Sequence, residues 1–407
     1  MLFNSVEFII FFPFVTLFYF LVPYKFRWIH LLAASCIFYA AFIPSYLFIL
    51  FALIIIDFSA GILIEKKTNK KKWLILSIVA NLGLLGVFKY YNFFITNINS
   101  LTGSQFILLH LALPIGLSFH TFQSLSYTIE IYRGRQKAIR HFGYYALYVM
   151  FYPQLVAGPI ERPYNLFPQL YERHYFSSQN LYEGLRLMAW GFFKKTVIAD
   201  RVGGYADAVF KHPQDVNAGN IWLGVFLFAI QIYADFSGYT DIAIGAARCM
   251  GFNLMTNFNR PYFSVNVRDF WKRWHISLSS WFRDYVYIPL GGNRKGETRK
   301  NINILLTFVL SGLWHGAAWG FLLWGFLNGL YVVFYDFISL HSKKIKLIKP
   351  LNILITFFFI SFAWIFFRAN SVHTAFEVIR QGIKLNNLSL HDIATMNTPS
   401  FQYGNFS

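Results

Sequence analysis

The sequence predicts an all-α, polytopic membrane protein. Three features carry that prediction: too little charge for a water-facing surface, repeated apolar runs of spanning length, and basic residues confined to short loops between them. Charged residues make up 13% of the 407, hydrophobic ones 56% and aromatics 21%, against roughly 25% charged in a soluble domain. Several runs approach or exceed the ~20 residues needed to cross a ~30 Å hydrocarbon layer. Net charge is +18, from 36 basic and 18 acidic residues. In a soluble protein that excess would point to nucleic acid. In short loops it is the positive-inside pattern, with attraction to anionic headgroups, so the lipid bilayer is the expected partner and nucleic acid is not. Cys36 and Cys249 are only two, far apart and in apolar surroundings, and offer neither a disulfide framework nor metal-ligand spacing.

Loop charges orient the runs. The first covers about residues 6–24 and is followed by Lys25 and Arg27. No Lys or Arg precedes Lys25 and no small-x-small site follows, so this run is read as a membrane segment and not as a cleavable signal. Runs near 28–43 and 44–64 lead to Glu65, Lys66, Lys67 and the lysines 70, 71 and 72. Two crossings between two basic loops place both loops in the cytoplasm and the N-terminus outside. Runs near 73–95 and 105–129 again make an even number before Arg133, Arg135, Lys137 and Arg140. The apolar stretch 301–335 separates Arg294, Lys295, Arg299 and Lys300 from Lys343, Lys344, Lys346 and Lys349, and is read as two short or tilted crossings. A last run, 350–367, leads outward. Residues 1–368 thus read as one membrane-embedded unit and 369–407 as a polar C-terminal tail.

The middle is less regular. Residues 143–160 are broken by Pro153, Gly158 and Pro159, and 252–300 mix Trp271, Trp274 and Trp281 with Arg and Lys. Such stretches predict interfacial or re-entrant helices, because irregular backbone at membrane depth must be covered by protein or line a wet cavity. No internal repeat of the kind that marks many transporters is found.

Ionisable groups inside apolar runs are costly and need a reason. Here they are Asp57, His120, Asp235, Asp241, His275 and His315, and an interhelical hydrogen bond is the plain alternative for each. His315 stands out by depth. No charged residue lies in 301–335, and at ~1.5 Å per residue from Ile302 it falls roughly 20 Å from the basic end, beyond the midplane. Gly312, Gly316 and Gly320 repeat every four residues around it. Close helix packing explains that stripe, and side-chain-poor surface there would also leave room for a substrate chain. A neutral imidazole at that position could take the proton of a hydroxyl attacking a thioester. His275, among tryptophans and cations, reads equally well as an interfacial anchor. Asp235 and Asp241 could form a proton or cation path, which supports a rival reading as an ion or solute transporter. The chain lacks HExxH, GxSxG, P-loop and GxGxxG patterns, so metalloprotease, hydrolase, NTPase and dinucleotide readings have no support.

A series of motifs adds a resemblance. It runs Leu113-Pro114-Ile115-Gly116-Leu117-Ser118-Phe119, Tyr132-Arg133-Gly134, the stretch Pro153 to Ile160, and Asp235-Phe236-Ser237-Gly238-Tyr239. It continues from Asn259-Arg260-Pro261 through Trp281-Phe282-Arg283-Asp284-Tyr285 to Gly291-Gly292-Asn293-Arg294, and ends at Leu313-Trp314-His315-Gly316. In this order the chain resembles the membrane-bound O-acyltransferases, and among them the membrane subunits of bacterial alginate O-acetylation systems. It is more distantly similar to the D-alanyl transfer proteins of teichoic acid modification.

The resemblance implies a ring of about nine to eleven tilted transmembrane helices, with re-entrant or interfacial helices, around a central tunnel. It implies His315 as the catalytic residue and His275 as its partner, with Trp314, Trp274, Asp235, Ser311 and Asn328 as candidates to line the tunnel. It implies no bound cofactor or metal, and an acyl donor that is acetyl-CoA or an acyl carrier thioester. The acceptor would be a polysaccharide, reached with an extracytoplasmic O-acetylation partner protein, at the bacterial cytoplasmic (inner) membrane. Relatives continue past Phe366-Phe367-Arg368-Ala369 with further membrane helices, so a chain ending at Ser407 is expected to be truncated. A scaffold that has lost activity with those helices is the remaining alternative.

Overall fold

The computed structural model describes residues 1–66, 69–114, 116–156, 158–341 and 348–384. Among them helices α1 (Val6–Leu21), α2 (Arg27–Ala40) and α3 (Tyr46–Glu65) follow the first three runs. The Ser5 hydroxyl starts α1 by accepting from the Phe8 amide at 3.3 Å. Helix α4 (Lys70–Leu85) passes through a π-helical turn, Gly86–Tyr90, directly into α5 (Tyr91–Thr102). Gly103, at φ 70°, ends it in the left-handed conformation that suits glycine.

The run expected at 105–129 is helical only in its second half, α6 (Leu117–Tyr132). The first half is extended because side chains of α5 take over its backbone. Asn92 exchanges hydrogen bonds with the Leu109 amide and carbonyl, at 2.8 and 2.7 Å. Asn99 does the same with Phe106, both at 2.9 Å. Amide side chains compete with helix formation in this way.

Prolines 153 and 163 break the next region into α7 (Phe142–Met150), α8 (Tyr152–Leu155) and α9 (Pro163–Tyr171). Helix α10 (Ser178–Phe192) continues through a second π-helical turn, Phe193–Ala199, into α11 (Asp200–Lys211), and α12 (Ala218–Cys249) returns alongside. The mixed region holds α13 (Val267–Arg273) and α14 (Ile276–Phe282), and then come α15 (Gly296–His315), α16 (Trp319–His341), α17 (Lys349–Arg368) and α18 (Val372–Ile383).

Five of these helices are long and apolar enough to cross a membrane: Tyr46–Glu65, Lys70–Thr102, Ala218–Cys249, Trp319–Leu340 and Lys349–Arg368. That is fewer than the nine to eleven expected. Helices α1 and α6 have only 16 residues each, short of a straight crossing, and α15 opens with Glu297, Arg299 and Lys300. Large apolar side chains such as Phe48, Val79 and Phe334 stay exposed on these helices, as lipid-facing surface does.

The interior is divided. One apolar core gathers α1–α3, α7 and the C-terminal half of α12. A second gathers α11, the N-terminal half of α12, α13 and α17. A small cluster between them holds Phe122, Leu125, Ile160, Leu278, Trp281, Phe282 and Trp314. Residues 369–384, read from sequence as the start of a polar tail, carry α18, which buries Ala375, Val378 and Gly382 on one face. Trp222 of α12 donates its indole N–H to the Gly382 carbonyl at 3.0 Å. The rest of the tail, 385–407, and Lys343, Lys344 and Lys346 lie outside the described residues.

Helices α10 and α12 touch backbone to backbone. A β-carbon on Gly191 would lie 2.6 Å from the Gly238 carbonyl oxygen, and one on Gly184 would lie 2.6 Å from that of Gly245. Gly191→Ala is therefore expected to destabilise the protein by about 1–3 kcal/mol through overpacking. Thermal unfolding of the detergent-purified variant checks this, and a melting temperature equal to that of the parent would refute the contact.

Candidate active site

His315 is the last residue of α15, and the chain breaks at Gly316 before turning back as α16. The helix is unbroken from Gly296, so the imidazole lies roughly 30 Å from that end. The ring is half-buried. It stands edge-on to Trp324 at 5.0 Å, to Phe367 at 5.3 Å and to Trp314 at 4.8 Å. Among the described residues no hydrogen bond reaches its nitrogens.

The glycine stripe beside it is packed and gives no room for a substrate chain, which corrects the sequence reading. A β-carbon at Gly312 would meet the Phe321 carbonyl oxygen at 2.2 Å. At Gly316 it would meet the Phe321 ring at 2.0 Å, and at Gly320 the Phe366 carbonyl oxygen at 2.6 Å. Neighbouring helices fill the space that the missing side chains leave.

His275 sits just before α14 and is buried to 1% exposure. Its backbone is left-handed, φ 43° and ψ 56°, which costs a non-glycine residue on the order of 1–3 kcal/mol. Its Nδ1 is 3.0 Å from Asn257 Oδ1. That oxygen also accepts from the Ser277 amide at 3.2 Å and the Ser277 hydroxyl at 3.0 Å. A backbone amide can only donate, so the Asn257 atom is an oxygen, and Nδ1 of His275 must donate to it. The neutral ring therefore carries its lone pair on Nε2, which is buried with no partner among the described residues. Asn257 is held in turn by the Ile276 amide, which donates to its carbonyl at 2.9 Å. Two residues earlier, the Met255 amide donates to the buried Glu161 at 2.5 Å.

Trp314 joins the two histidines. Its ring is 4.8 Å from His315 and 6.4 Å from His275. Phe119 packs at 5.6 Å from it and 6.3 Å from His275. The Trp314 indole N–H is also buried without a partner among the described residues, so the site holds two unused polar groups of opposite sense, an N–H donor and a lone pair. Lys89, on the π-helical turn, donates to the Trp314 carbonyl, and Tyr90 donates to the Leu313 carbonyl at 2.9 Å. A cation at the C-terminal carbonyls of α15 satisfies groups that a helix end leaves open.

The other expected tunnel residues divide. Ser311, one turn before His315, lines a pocket of about 270 Å³. Trp274 is buried beside His275's neighbour Phe258, 5.1 Å away. Asn328 is buried and donates to the Trp324 carbonyl at 2.8 Å, so it meets His315 only through Trp324. Asp235 is half-exposed and pairs with Lys195 at 2.5 Å, while Asp241 pairs with Lys194 at 2.7 Å. Neither aspartate contacts the histidines directly, although Phe236 packs on His275 at 4.7 Å. Asp57 accepts from Ser77 at 2.6 Å and from Asn81 at 2.9 Å, the interhelical role that its position first suggested. His120 is buried with neither nitrogen partnered among the described residues. Among those residues no His, Cys, Asp and Glu cluster able to hold a metal is found.

Two residues of this site escaped the sequence reading. Lys89 is ionisable and lies inside the apolar run 73–95, so the criterion that selected His315 should have selected it. Asn257 lies in a mixed polar segment and carries no such signal.

A helical membrane protein with two histidines on one buried tryptophan, at the end of a long apolar helix, defines the class. Residues 132–375 match the model of the membrane-bound O-acyltransferase family, MBOAT. The chain is 38% identical to a peptidoglycan O-acetyltransferase of Helicobacter pylori, over 88% of this chain and 74% of that protein. It is 36% identical to a probable alginate O-acetylase, AlgI, of Azotobacter vinelandii, over 99% of this chain and 82% of that one. A teichoic acid D-alanyltransferase of Bacillus subtilis is 30% identical over 64% of this chain and 69% of its own length. The chain belongs to the membrane-bound O-acyltransferase family, and is a multi-pass membrane acyltransferase.

Proposed function

We propose that this protein moves an acetyl group from a cytoplasmic thioester toward a hydroxyl of an extracytoplasmic polysaccharide, directly or through an extracytoplasmic partner protein, at the bacterial inner membrane. The observation that carries the reading is the pairing of His315 and His275 on one tryptophan, with the Nε2 lone pair of His275 and the Trp314 indole N–H left open. His315 is the base: it takes the hydroxyl proton as the oxygen–carbon bond forms, and its imidazolium returns that proton to the thiolate as the carbon–sulfur bond breaks, which leaves ester, free thiol and a neutral imidazole. The fixed tautomer makes neutral His275 a hydrogen-bond acceptor, which suits orienting the attacking hydroxyl and not donating to the developing oxyanion. The buried Trp314 N–H, without a partner among the described residues, supports a role as donor to the oxyanion.

The donor reading rests on the pocket at Ser311. Arg268, Lys272 and Arg283 surround it, and Trp271, Phe282 and Phe308 wall it. Basic groups suit the phosphates of an acetyl-CoA or the phosphopantetheine of an acyl carrier, and an apolar wall suits the thioester arm. Acetyl is favoured because the H. pylori and A. vinelandii relatives are O-acetylases. A polysaccharide acceptor is favoured by the polymers in their names, peptidoglycan and alginate.

Ser311→Trp should obstruct this pocket and raise the KM for acetyl thioester about tenfold or more, roughly 1.4 kcal/mol of lost binding. Thiol release by inverted membrane vesicles measures it. An unchanged KM removes the pocket as donor site, and vesicles of the parent protein that release no thiol from any acetyl thioester contradict the proposed reaction.

A further inference from the structure

Away from the histidines, a groove of about 640 Å³ opens between α10 and the C-terminal end of α12. Its apolar wall is Leu187, Trp190 and Ile244, and Arg186, Arg248 and Asn253 stand at its polar end. Arg248 is engaged: its Nη2 is 2.8 Å from Glu183, and it also bonds Asn253. Arg186 is exposed, and among the described residues no carboxylate lies within 4.0 Å of it. The two arginines and Glu183 leave the polar end with one excess positive charge. Trp190 is 54% exposed and stacks on Phe193 at 5.4 Å, which presents a pair of partly exposed rings at the surface.

The groove's level in the fold is fixed by its neighbours. The chain just after Cys249 packs Phe252 against His174 at 4.5 Å and against Tyr19 at 6.0 Å. Arg27 donates to the His174 carbonyl at 2.5 Å. The polar end therefore lies beside Lys25 and Arg27, the basic loop that positive-inside reasoning puts at the cytoplasmic face. Arg186 lies over the Tyr182 ring at 5.7 Å and has no carboxylate within 4.0 Å among the described residues. An exposed arginine at that level, above an apolar and aromatic wall, is the arrangement that holds a phospholipid: phosphate on the arginine, acyl chain along the wall.

We propose that this groove binds one anionic phospholipid of the cytoplasmic leaflet, with Arg186 contacting the headgroup phosphate, Arg248 adding to the local field, and the acyl chain lying on Leu187, Trp190 and Ile244. A lipid with net negative charge matches the single excess positive charge. A zwitterionic lipid brings its own cation and gains less. The site is independent of the proposed reaction.

Native mass spectrometry of the detergent-purified protein tests it, with phosphatidylglycerol, phosphatidylcholine and chain-free glycerol phosphate as probes. Phosphatidylglycerol should bind more tightly than phosphatidylcholine. Arg186→Gln should weaken phosphatidylglycerol about fivefold, the effect of one interfacial arginine, and Arg186→Lys should retain most of the binding. Trp190→Ala, which leaves the cations in place, should also weaken the lipid and supplies the test if the glutamine variant does not fold. Equal binding of the two lipids, indifference to both substitutions, or full competition by glycerol phosphate would each overturn the proposal, the last by making the site one for a free anion.

Discussion

His315→Ala is expected to lower acyl transfer by about 10²–10⁴-fold, the usual contribution of a positioned general base. The loss should appear in kcat more than in KM, because the imidazole makes no hydrogen bond within the described protein and so holds little of the resting structure. Its ring does contact Trp324 and Phe367, so a modest fall in thermal stability accompanies the change. His315→Gln separates the two effects. The amide refills most of the space but cannot accept the proton, so stability should recover while the rate stays low. A glutamine variant with the rate of the parent would remove His315 as the base.

The second large effect is expected at Asn257. Leucine there removes the oxygen that orients His275 and leaves three donors, the Ser277 amide, the Ser277 hydroxyl and the His275 Nδ1–H, without that acceptor. Each such orphan costs about 1–3 kcal/mol, and loss of a residue that orients a catalytic side chain typically lowers activity 10–100-fold. Asn257→Asp keeps an oxygen acceptor in place and should restore much of the activity that Asn257→Leu loses. Thiol-release rates for the two variants, compared at equal amounts of folded protein, make the distinction. If aspartate and leucine are equally impaired, orientation of His275 through this oxygen is not what the site needs.

Much of the architecture was legible because lipid imposes simple rules. Low charge gave the solvent, apolar runs gave helices, and loop cations gave an orientation. The failures have physical causes. The run at 105–129 looked spanning because hydropathy does not register that Asn92 and Asn99 can occupy the backbone of Leu109 and Phe106. Residues 372–383 looked like a polar tail because the segment mixes His373, Thr374, Glu377, Arg380 and Gln381 with its apolar residues, and its buried stripe is only Ala375, Val378 and Gly382. The glycines at 312, 316 and 320 marked close packing, but which atoms come close is a tertiary fact, and Phe321 and Phe366 fill what sequence left empty. His315 was found from depth alone. His275 needed the motif series, since its neighbours hide it among interfacial tryptophans and its partner Asn257 is distant in sequence. Lys89 is legible by the same rule, as an ionisable group inside an apolar run, while the tautomer of His275 depends on where the Ser277 amide lies.

The central claim, that this chain acetylates an envelope polysaccharide through His315, is tested most directly by mass analysis of envelope polymers. The cells compared lack the protein, carry the parent chain, or carry His315→Ala at matched membrane levels. Base-labile acetyl esters are expected with the parent chain alone, and near-background levels in the other two. Polymers equally acetylated with the alanine variant, or unchanged when the protein is removed, would contradict it.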